Sequence, residues 1–300
     1  MYKFEKLTTG EYGNFLLNEP MKNHTTFKVG GPADLLIMPK TEDDLISIVK
    51  YCNSEQIPYM VIGNGSNLLI TDKGIRGVVI KLGDNFAQIS IEGDRIKAQA
   101  GALLRTVALE SFEVSLTGME EISGIPGSIG GAMVMNAGAY GGEISFVVDK
   151  VRCLTREGEI QEFEEDEMEF GYRQSVVSKR NLIVIDVELQ LKKGNYEEII
   201  EKFNDFDNRR TTKQPLDRNS AGSTFKRPEG YYASKLIDDA GLRGYTYKRA
   251  QVSEKHCGFL INMDDSNYEE VSTLIEQVKK IVKDKFGVDL ETEIKIIGEK

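Results

Sequence analysis

From Ile122 to Gly142 the chain runs twenty-one residues without a charge, ISGIPGSIGGAMVMNAGAYGG, and seven of them are glycine. The length suggests a membrane span. However, Ser123, Pro126, Ser128, Asn136 and the glycines interrupt it, and no pure apolar block approaches the ~20 residues that a span needs. Glycines this dense mean that the backbone approaches something closely, or takes positive φ at several points. In an enzyme that partner is usually a phosphate-bearing cofactor, held by backbone N–H groups that side chains would hide. A packed, turn-rich core loop is the plainer alternative.

Composition narrows the field. A chain of 300 residues has room for two or three domains. The net charge of −10 and a pI near 5.0 argue against nucleic acid or an anionic membrane as partner, since both require a basic face. A small anionic ligand needs only a few placed cations and stays open. The start, MYKFEKLTTGEYGNF, shows neither an apolar stretch nor a cleavage site, so no secretion signal is expected. Cys52, Cys153 and Cys257 are odd in number and far apart, which argues against a disulfide framework. With only His24 and His256, no zinc site is expected. Together these features predict a cytoplasmic enzyme whose difficult chemistry belongs to an organic cofactor.

Leu35–Pro39 reads as a strand, Thr41 as a helix N-cap, and Leu45, Ile48, Val49 and Cys52 as the buried face of the helix that follows. Pro58–Gly63 is the next strand and completes a β–α–β unit. It opens into Gly63-Asn64-Gly65-Ser66-Asn67, a tight loop directly after a buried strand, as a phosphate-gripping loop requires. Strands are predicted at 77–82, 95–100, 147–155 and Asn181–Leu191, with a helix at Leu103–Phe112. Eight carboxylates between Glu157 and Glu169, without partner cations in that stretch, predict a solvated hairpin. Helices follow at Tyr196–Arg210, Tyr231–Ala240 and Tyr268–Phe286, with a strand at Gly258–Asn262 and an alternating, half-buried strand at Leu290–Ile297.

Three places could carry chemistry. Arg173, in FGYRQS, sits in a glycine–aromatic context where a guanidinium could hold a carboxylate by two hydrogen bonds. Ser223, in NSAGSTFK, has small neighbours that would admit a ligand to its hydroxyl, with Lys226 nearby for negative charge. There is no G-x-S-x-G elbow and no plausible histidine base, so a hydrolase triad is rejected and Ser223 reads as a proton donor or ligand contact. Glu291 and Glu293 are spaced to share one strand face.

Seven segments in order resemble the UDP-N-acetylenolpyruvoylglucosamine reductase (MurB) family: NHTTFKVGGPA (23–33), VIGNGSNLL (61–69), SGIPGSIGGAMVMNAGAYGGEI (123–144), FGYRQS (170–175), NSAGSTFK (219–226), KLIDDAGLRG (235–244) and LETEIKIIG (290–298). The resemblance spans about Asn23 to Ile297. It implies an α+β fold: an FAD-binding domain of the vanillyl-alcohol-oxidase/PCMH type in two α+β subdomains, then a C-terminal α/β substrate-binding domain. The expected division is 1–200 (subdomains about 1–80 and 81–200), 201–288, and a terminal strand 289–300 returning to the FAD-binding part.

What the resemblance implies of the site is specific. Non-covalent FAD would be cradled by Gly63, Asn64, Gly65, Ser66 and Asn67, and by Gly124, Gly127, Ser128, Gly130, Gly131, Asn136 and Gly138. Arg173, Ser223 and Glu293 would be catalytic. Tyr172, Arg210, Lys213, Asn219, Gly222 and Lys226 would contact the substrate, UDP-N-acetylglucosamine enolpyruvate, with NADPH as co-substrate. In this family reduction yields UDP-N-acetylmuramate for peptidoglycan. Between Arg173 and Asn181 there is no room for the tyrosine-bearing insert of the family's longer form, so the chain is similar to the shorter form. No metal is implied, and a monomer or weak dimer is expected. An FAD-dependent sugar or hydroxy-acid oxidase or dehydrogenase of the same superfamily would explain the glycine loops but not NSAGSTFK and FGYRQS. A non-catalytic nucleotide-binding module would leave Ser223 and Glu293 without a role.

Overall fold

The computed structural model describes Tyr2–Lys300. Along the chain run β1 (Gly13–Pro20), β2 (Pro32–Pro39), α1 (Glu42–Ser54), β3 (Tyr59–Ile62), β4 (Leu68–Ile70), β5 (Ile75–Lys81), β6 (Ile89–Glu92) and β7 (Arg95–Gln99). Then come α2 (Leu104–Glu113), β8 (Leu116–Thr117), α3 (Ile129–Met135) and a small hairpin of β9 (Gly138–Ala139) and β10 (Gly142–Glu143). Next are β11 (Val148–Leu154), β12 (Ile160–Glu164), α4 (Val176–Arg180), β13 (Ile183–Gln190), β14 (Lys192–Lys193) and α5 (Tyr196–Lys213). The remainder holds α6 (Ala233–Asp239), β15 (Thr246–Tyr247), β16 (Ala250–Val252), β17 (Leu260–Asn262), α7 (Tyr268–Phe286) and β18 (Lys295–Ile297).

Contacts divide these elements into two compact units. Unit one is Met1–Leu17, Leu35–Asn64 and Gly77–Arg209; unit two is Asn18–Asp34, Gly65–Arg76 and Arg210–Lys300. The chain therefore passes between units five times.

Unit one carries a four-stranded sheet in the order β1-β2-β5-β3 and a five-stranded sheet in the order β12-β11-β13-β7-β6. Helix α1 starts where the sequence says it should. The Thr41 hydroxyl accepts the Asp44 N–H at 3.2 Å, and the Asp44 carboxylate accepts the Thr41 N–H at 3.1 Å, closing a capping box. Its buried face is Leu45, Ile48, Val49 and Cys52, packed with Leu35, Ile37, Val78 and Ile80 of the first sheet. The second sheet buries Ile96, Ala98, Val151, Cys153 and Val187 in the same core.

The opposite residues of β11 are charged and set the register. Lys150 lies opposite Glu164, and Arg152 opposite Glu162 on one side and Asp186 on the other. Arg152 pairs with buried Asp186 and, at 2.9 Å, with Glu42. Thus the acidic run does form a hairpin strand, β12, but it ends in a 3₁₀ turn at Glu165–Met168. Its cations come from outside the run, from β11 and from Lys179, 2.7 Å from Glu169. Sequence distance hid these partners, because pairing across a ladder is not local.

Unit two is built around α7. Its buried stripe is Val271, Leu274, Ile275, Val278 and Val282, packed with Leu236 and Ile237 of α6, Ala250 and Val252 of β16, and Leu69 of β4. Asn267 caps the helix by accepting the Glu270 N–H at 3.0 Å, and Gly287 ends it at φ +72°, where a side chain would be strained. Strands β15-β16-β17 form an antiparallel sheet. The terminal segment departs from expectation. The regular strand spans only Lys295–Ile297, which pairs in parallel with β4. Before it, the alternation fails: Glu291 is exposed, while Thr292 and Glu293 are both half-buried. There the chain makes single backbone bonds, Lys226 N–H to the Glu291 carbonyl and Glu293 N–H to the Thr224 carbonyl, each 2.8 Å. Helix α5 likewise continues past Arg210 to Lys213.

Candidate functional site

In unit one the uncharged run folds as loop, short helix and hairpin. Gly124 is half-buried ahead of exposed Pro126, and the Gly127 carbonyl accepts the Leu104 N–H at 2.9 Å. Ser128 caps α3, accepting the Gly131 N–H at 3.4 Å. Gly130 is buried so close to Ala100 that a Cβ would stand 2.9 Å from that residue's own Cβ, whereas Gly131 is exposed. Gly63, at the end of β3, faces the same turn: a Cβ there would lie 2.1 Å from the Ser128 hydroxyl oxygen. Asn64 ties the two segments by donating from Nδ2 to the Pro126 carbonyl at 2.5 Å. Thus bare backbone and one hydroxyl line this junction because nothing larger than hydrogen fits at Gly63.

Helix α3 ends on Asn136, a left-handed residue (φ +40°) that is buried. Its Nδ2 donates to the Glu143 carboxylate at 2.7 Å and to the Gly171 carbonyl at 3.3 Å. The second bond reaches the FGYRQS turn, which Gly171 and Gln174 close by mutual backbone bonds of 3.1 and 3.2 Å. Arg173 sits in that turn at φ +56°. It donates to the Gly138 carbonyl at 3.0 Å and to the Asn136 carbonyl at 3.5 Å, and its guanidinium lies 5.0 Å from the centre of the exposed Tyr172 ring. The structure therefore brings Arg173 to Asn136 and Gly138, which lie 37 and 35 residues before it.

Unit two assembles a second group. Gly65 takes φ +64°, and a Cβ on it would strike the His24 carbonyl oxygen at 2.1 Å. Half-buried Ser66 and Asn67 follow, and Asn67 Nδ2 donates to the Glu293 carbonyl at 3.3 Å. The backbone bond from Glu293 to Thr224 sets Glu293 beside the NSAGSTFK segment. Thr224 is buried, with its Oγ1 accepting the Leu260 N–H at 3.2 Å and its own N–H bonded to the Gly258 carbonyl at 2.8 Å. Ser223 beside it is exposed, and Gly222 takes φ +75° in open space. The Asn219 carbonyl accepts the Asn262 N–H at 2.9 Å. Lys226 forms a 2.9 Å ion pair with Glu291, whose carboxyl its hydrogen bond holds below the usual range. Arg210 is buried, whereas Lys213 is exposed at the end of α5.

His256 behaves as a packing residue. Burial pushes its pKa below the ordinary histidine value, its Nδ1 accepts the Gly258 N–H at 3.1 Å, and its ring meets Phe259 edge-on at 5.0 Å. The three thiols are buried, and desolvation pushes Cys52 and Cys153 up to about 12 and Cys257 up to about 11, so they are inert. Among the described residues, no group of His, Cys, Asp and Glu could hold a metal ion, and no helix is long and apolar enough to cross a membrane. Two residues escaped the sequence reading. Thr224 was hidden because a threonine's burial is set by remote strands. Glu143 was hidden because its bond to Asn136 exists only once the hairpin forms.

Two family models match the chain: an FAD binding domain over residues 33–164, and the UDP-N-acetylenolpyruvoylglucosamine reductase C-terminal domain over 214–297. A UDP-N-acetylenolpyruvoylglucosamine reductase of Caldanaerobacter subterraneus subsp. tengcongensis is 52% identical over 288 residues, covering 96% of this chain and 95% of its own. That of Clostridioides difficile is 53% identical over 283 residues, with 94% and 93% covered. The crystal structure of the Thermus caldophilus enzyme superposes with a TM-score of 0.81 at 34% identity, covering 94% of this chain and 98% of its own. The fold is α+β, an FAD-binding domain followed by a C-terminal domain, and this chain belongs to the UDP-N-acetylenolpyruvoylglucosamine reductase family.

Proposed function

We propose that this protein reduces UDP-N-acetylglucosamine enolpyruvate to UDP-N-acetylmuramate with NADPH, using non-covalent FAD, in peptidoglycan precursor synthesis. The observation that carries this reading is identity of 52% with a reductase of that name over nearly the whole of both chains. We further read residues 1–200 as serving FAD, 201–288 as serving substrate and 289–300 as returning to the FAD-binding part, in a cytoplasmic monomer or weak dimer.

The residues present fit FAD. Gly63 has no room for a Cβ, which would stand 2.1 Å from the Ser128 hydroxyl oxygen, so the end of β3 packs directly on the turn that starts α3, where a diphosphate would meet backbone and one hydroxyl. Gly63–Asn67 and the segment holding Gly124, Gly127, Ser128, Gly130, Gly131, Asn136 and Gly138 are the proposed cofactor contacts. Bound there, FAD would take reducing equivalents from NADPH and pass them as hydride to C3 of the enol ether.

The remaining work falls to this chain's side chains. Addition at C3 drives negative charge through C2 into the substrate carboxylate. Arg173, held by two backbone carbonyls, would meet that charge as it develops; stabilising it more than the ground state is what lowers the barrier. Glu293 can assist only while sharing a proton with the developing dianion. The exposed Ser223 hydroxyl would deliver the proton to C2. Tyr172, Arg210, Lys213, Asn219, Gly222 and Lys226 would hold the sugar nucleotide. The test is anaerobic: NADPH should bleach the bound flavin, and UDP-N-acetylglucosamine enolpyruvate should restore its colour with one equivalent of UDP-N-acetylmuramate formed. A flavin that NADPH leaves oxidised would overturn the reading.

A further inference from the structure

We propose that Glu143 is a positioning residue that fixes Arg173 through Asn136. The inference rests on the reading of Arg173 as the group that meets the developing charge. It starts from a mismatch: Arg173 is held by carbonyls of Asn136 and Gly138, yet those carbonyls belong to a helix end and a two-residue strand, neither rigid alone. Asn136 makes them rigid. It is a buried, left-handed residue (φ +40°), as asparagine can be at a helix end, and its side-chain amide is hydrogen-bonded through both Nδ2 and Oδ1.

Those contacts converge on Glu143. Its carboxylate accepts Asn136 Nδ2 at 2.7 Å and the Ser145 hydroxyl at 3.5 Å, while the Ser145 N–H donates to Asn136 Oδ1 at 3.3 Å. The same Asn136 amide reaches the Gly171 carbonyl, two residues before Arg173. Glu143 also pairs with Gly138 in the β9–β10 register, where a Cβ on Gly138 would meet Glu143 Cγ at 2.9 Å and Arg173 Nη1 at 3.5 Å. One carboxylate thus anchors the amide that locks both the carbonyls receiving Arg173 and the turn presenting it. Hydrogen bonds to an ionised acceptor are short and strong, which suits a group whose task is to limit movement.

The experiment is a double-mutant cycle on the holoenzyme, reading the rate at which saturating UDP-N-acetylglucosamine enolpyruvate reoxidises NADPH-reduced flavin. Arg173→Lys should slow this step at least a hundredfold, and Glu143→Ala about 10–100-fold, the scale on which misplacement of an aligned group costs rate. Because Glu143 acts through Arg173, the double variant should be no slower than Arg173→Lys alone. Glu143→Gln keeps the acceptor and should recover to within about threefold of the parent. Rates are taken per bound flavin, because Asn136 and Gly138 are also proposed cofactor contacts, and for the Glu143 variants the substrate dissociation constant, read from the oxidised flavin spectrum, should stay within about twofold. If Arg173→Lys slows the step while Glu143→Ala does not, or if the two losses multiply, the positioning role is overturned and the role of Arg173 survives. If Arg173→Lys itself leaves the rate unchanged, the role of Arg173 falls and the positioning role falls with it.

Discussion

Two single atoms make sharp tests. Removing the hydroxyl oxygen in Ser223→Ala should leave reduction of the flavin by NADPH intact but slow reoxidation by substrate about 10²–10⁴-fold, the usual scale for a lost proton donor. Equal loss in both half-reactions would sink the assignment. Adding one carbon in Gly63→Ala should act on cofactor retention instead, because its Cβ would stand 2.1 Å from the Ser128 hydroxyl. Purified Gly63→Ala should retain less FAD per chain. An unchanged flavin-to-protein absorbance ratio in Gly63→Ala would show that this junction does not touch the cofactor. Residue-level reading from sequence located close backbone approach at Gly63 and Gly130, where a Cβ would stand 2.1 and 2.9 Å from a neighbour, because steric exclusion leaves a compositional trace. It failed at Glu143, since a carboxylate after a glycine pair looks like any surface acid until Asn136 is seen beside it.

Secondary-structure elements divide by how locally they are specified. Helix α1 was legible to its cap because Thr41, Asp44 and the apolar spacing all lie within one short stretch. Thr41→Ala should lower unfolding free energy by about 1 kcal/mol, whereas Thr41→Ser keeps the capping hydroxyl and should not lower it; urea titration followed by circular dichroism separates them. No shift in midpoint for Thr41→Ala would show that the capping box is not formed. Helix α7 was legible for the same reason. Helix α3 was not: its seven residues include Gly130 and Gly131, poor helix formers. Tertiary contact makes it helical, with the Ile129 and Gly130 N–H groups bonded to the carbonyls of Ala102 and Ala100 at 2.8 Å. The two-residue strands β8, β9, β10, β14 and β15 were equally invisible, because their pairing depends on partners and not on pattern.

At the scale of the whole chain, one buried pair should contribute to the dependence of stability on acid. Glu270 is buried, and Arg249 holds it by hydrogen bonds of 3.0–3.2 Å that keep its carboxyl below the usual range. The unfolded chain therefore binds this proton first, so the contribution is present above the ordinary glutamate range and lost as pH falls through the folded value. Glu270→Gln should flatten the fall in melting temperature below about pH 5 relative to the parent; parallel curves would dismiss the pair. The α+β order of domains was readable because seven segments kept their sequence order. The division of contacts was not, since β4 completes its pairing only with β18. That pairing has a consequence during synthesis. Leu68–Ile70 leave the ribosome roughly two hundred residues before Lys295–Ile297 exist to cover them. At ~5–20 residues per second the apolar edge waits on the order of 10–40 s. For that interval the nascent chain carries an open strand edge, so chaperone demand should track elongation rate, and any early stop before Lys295 should leave an insoluble product.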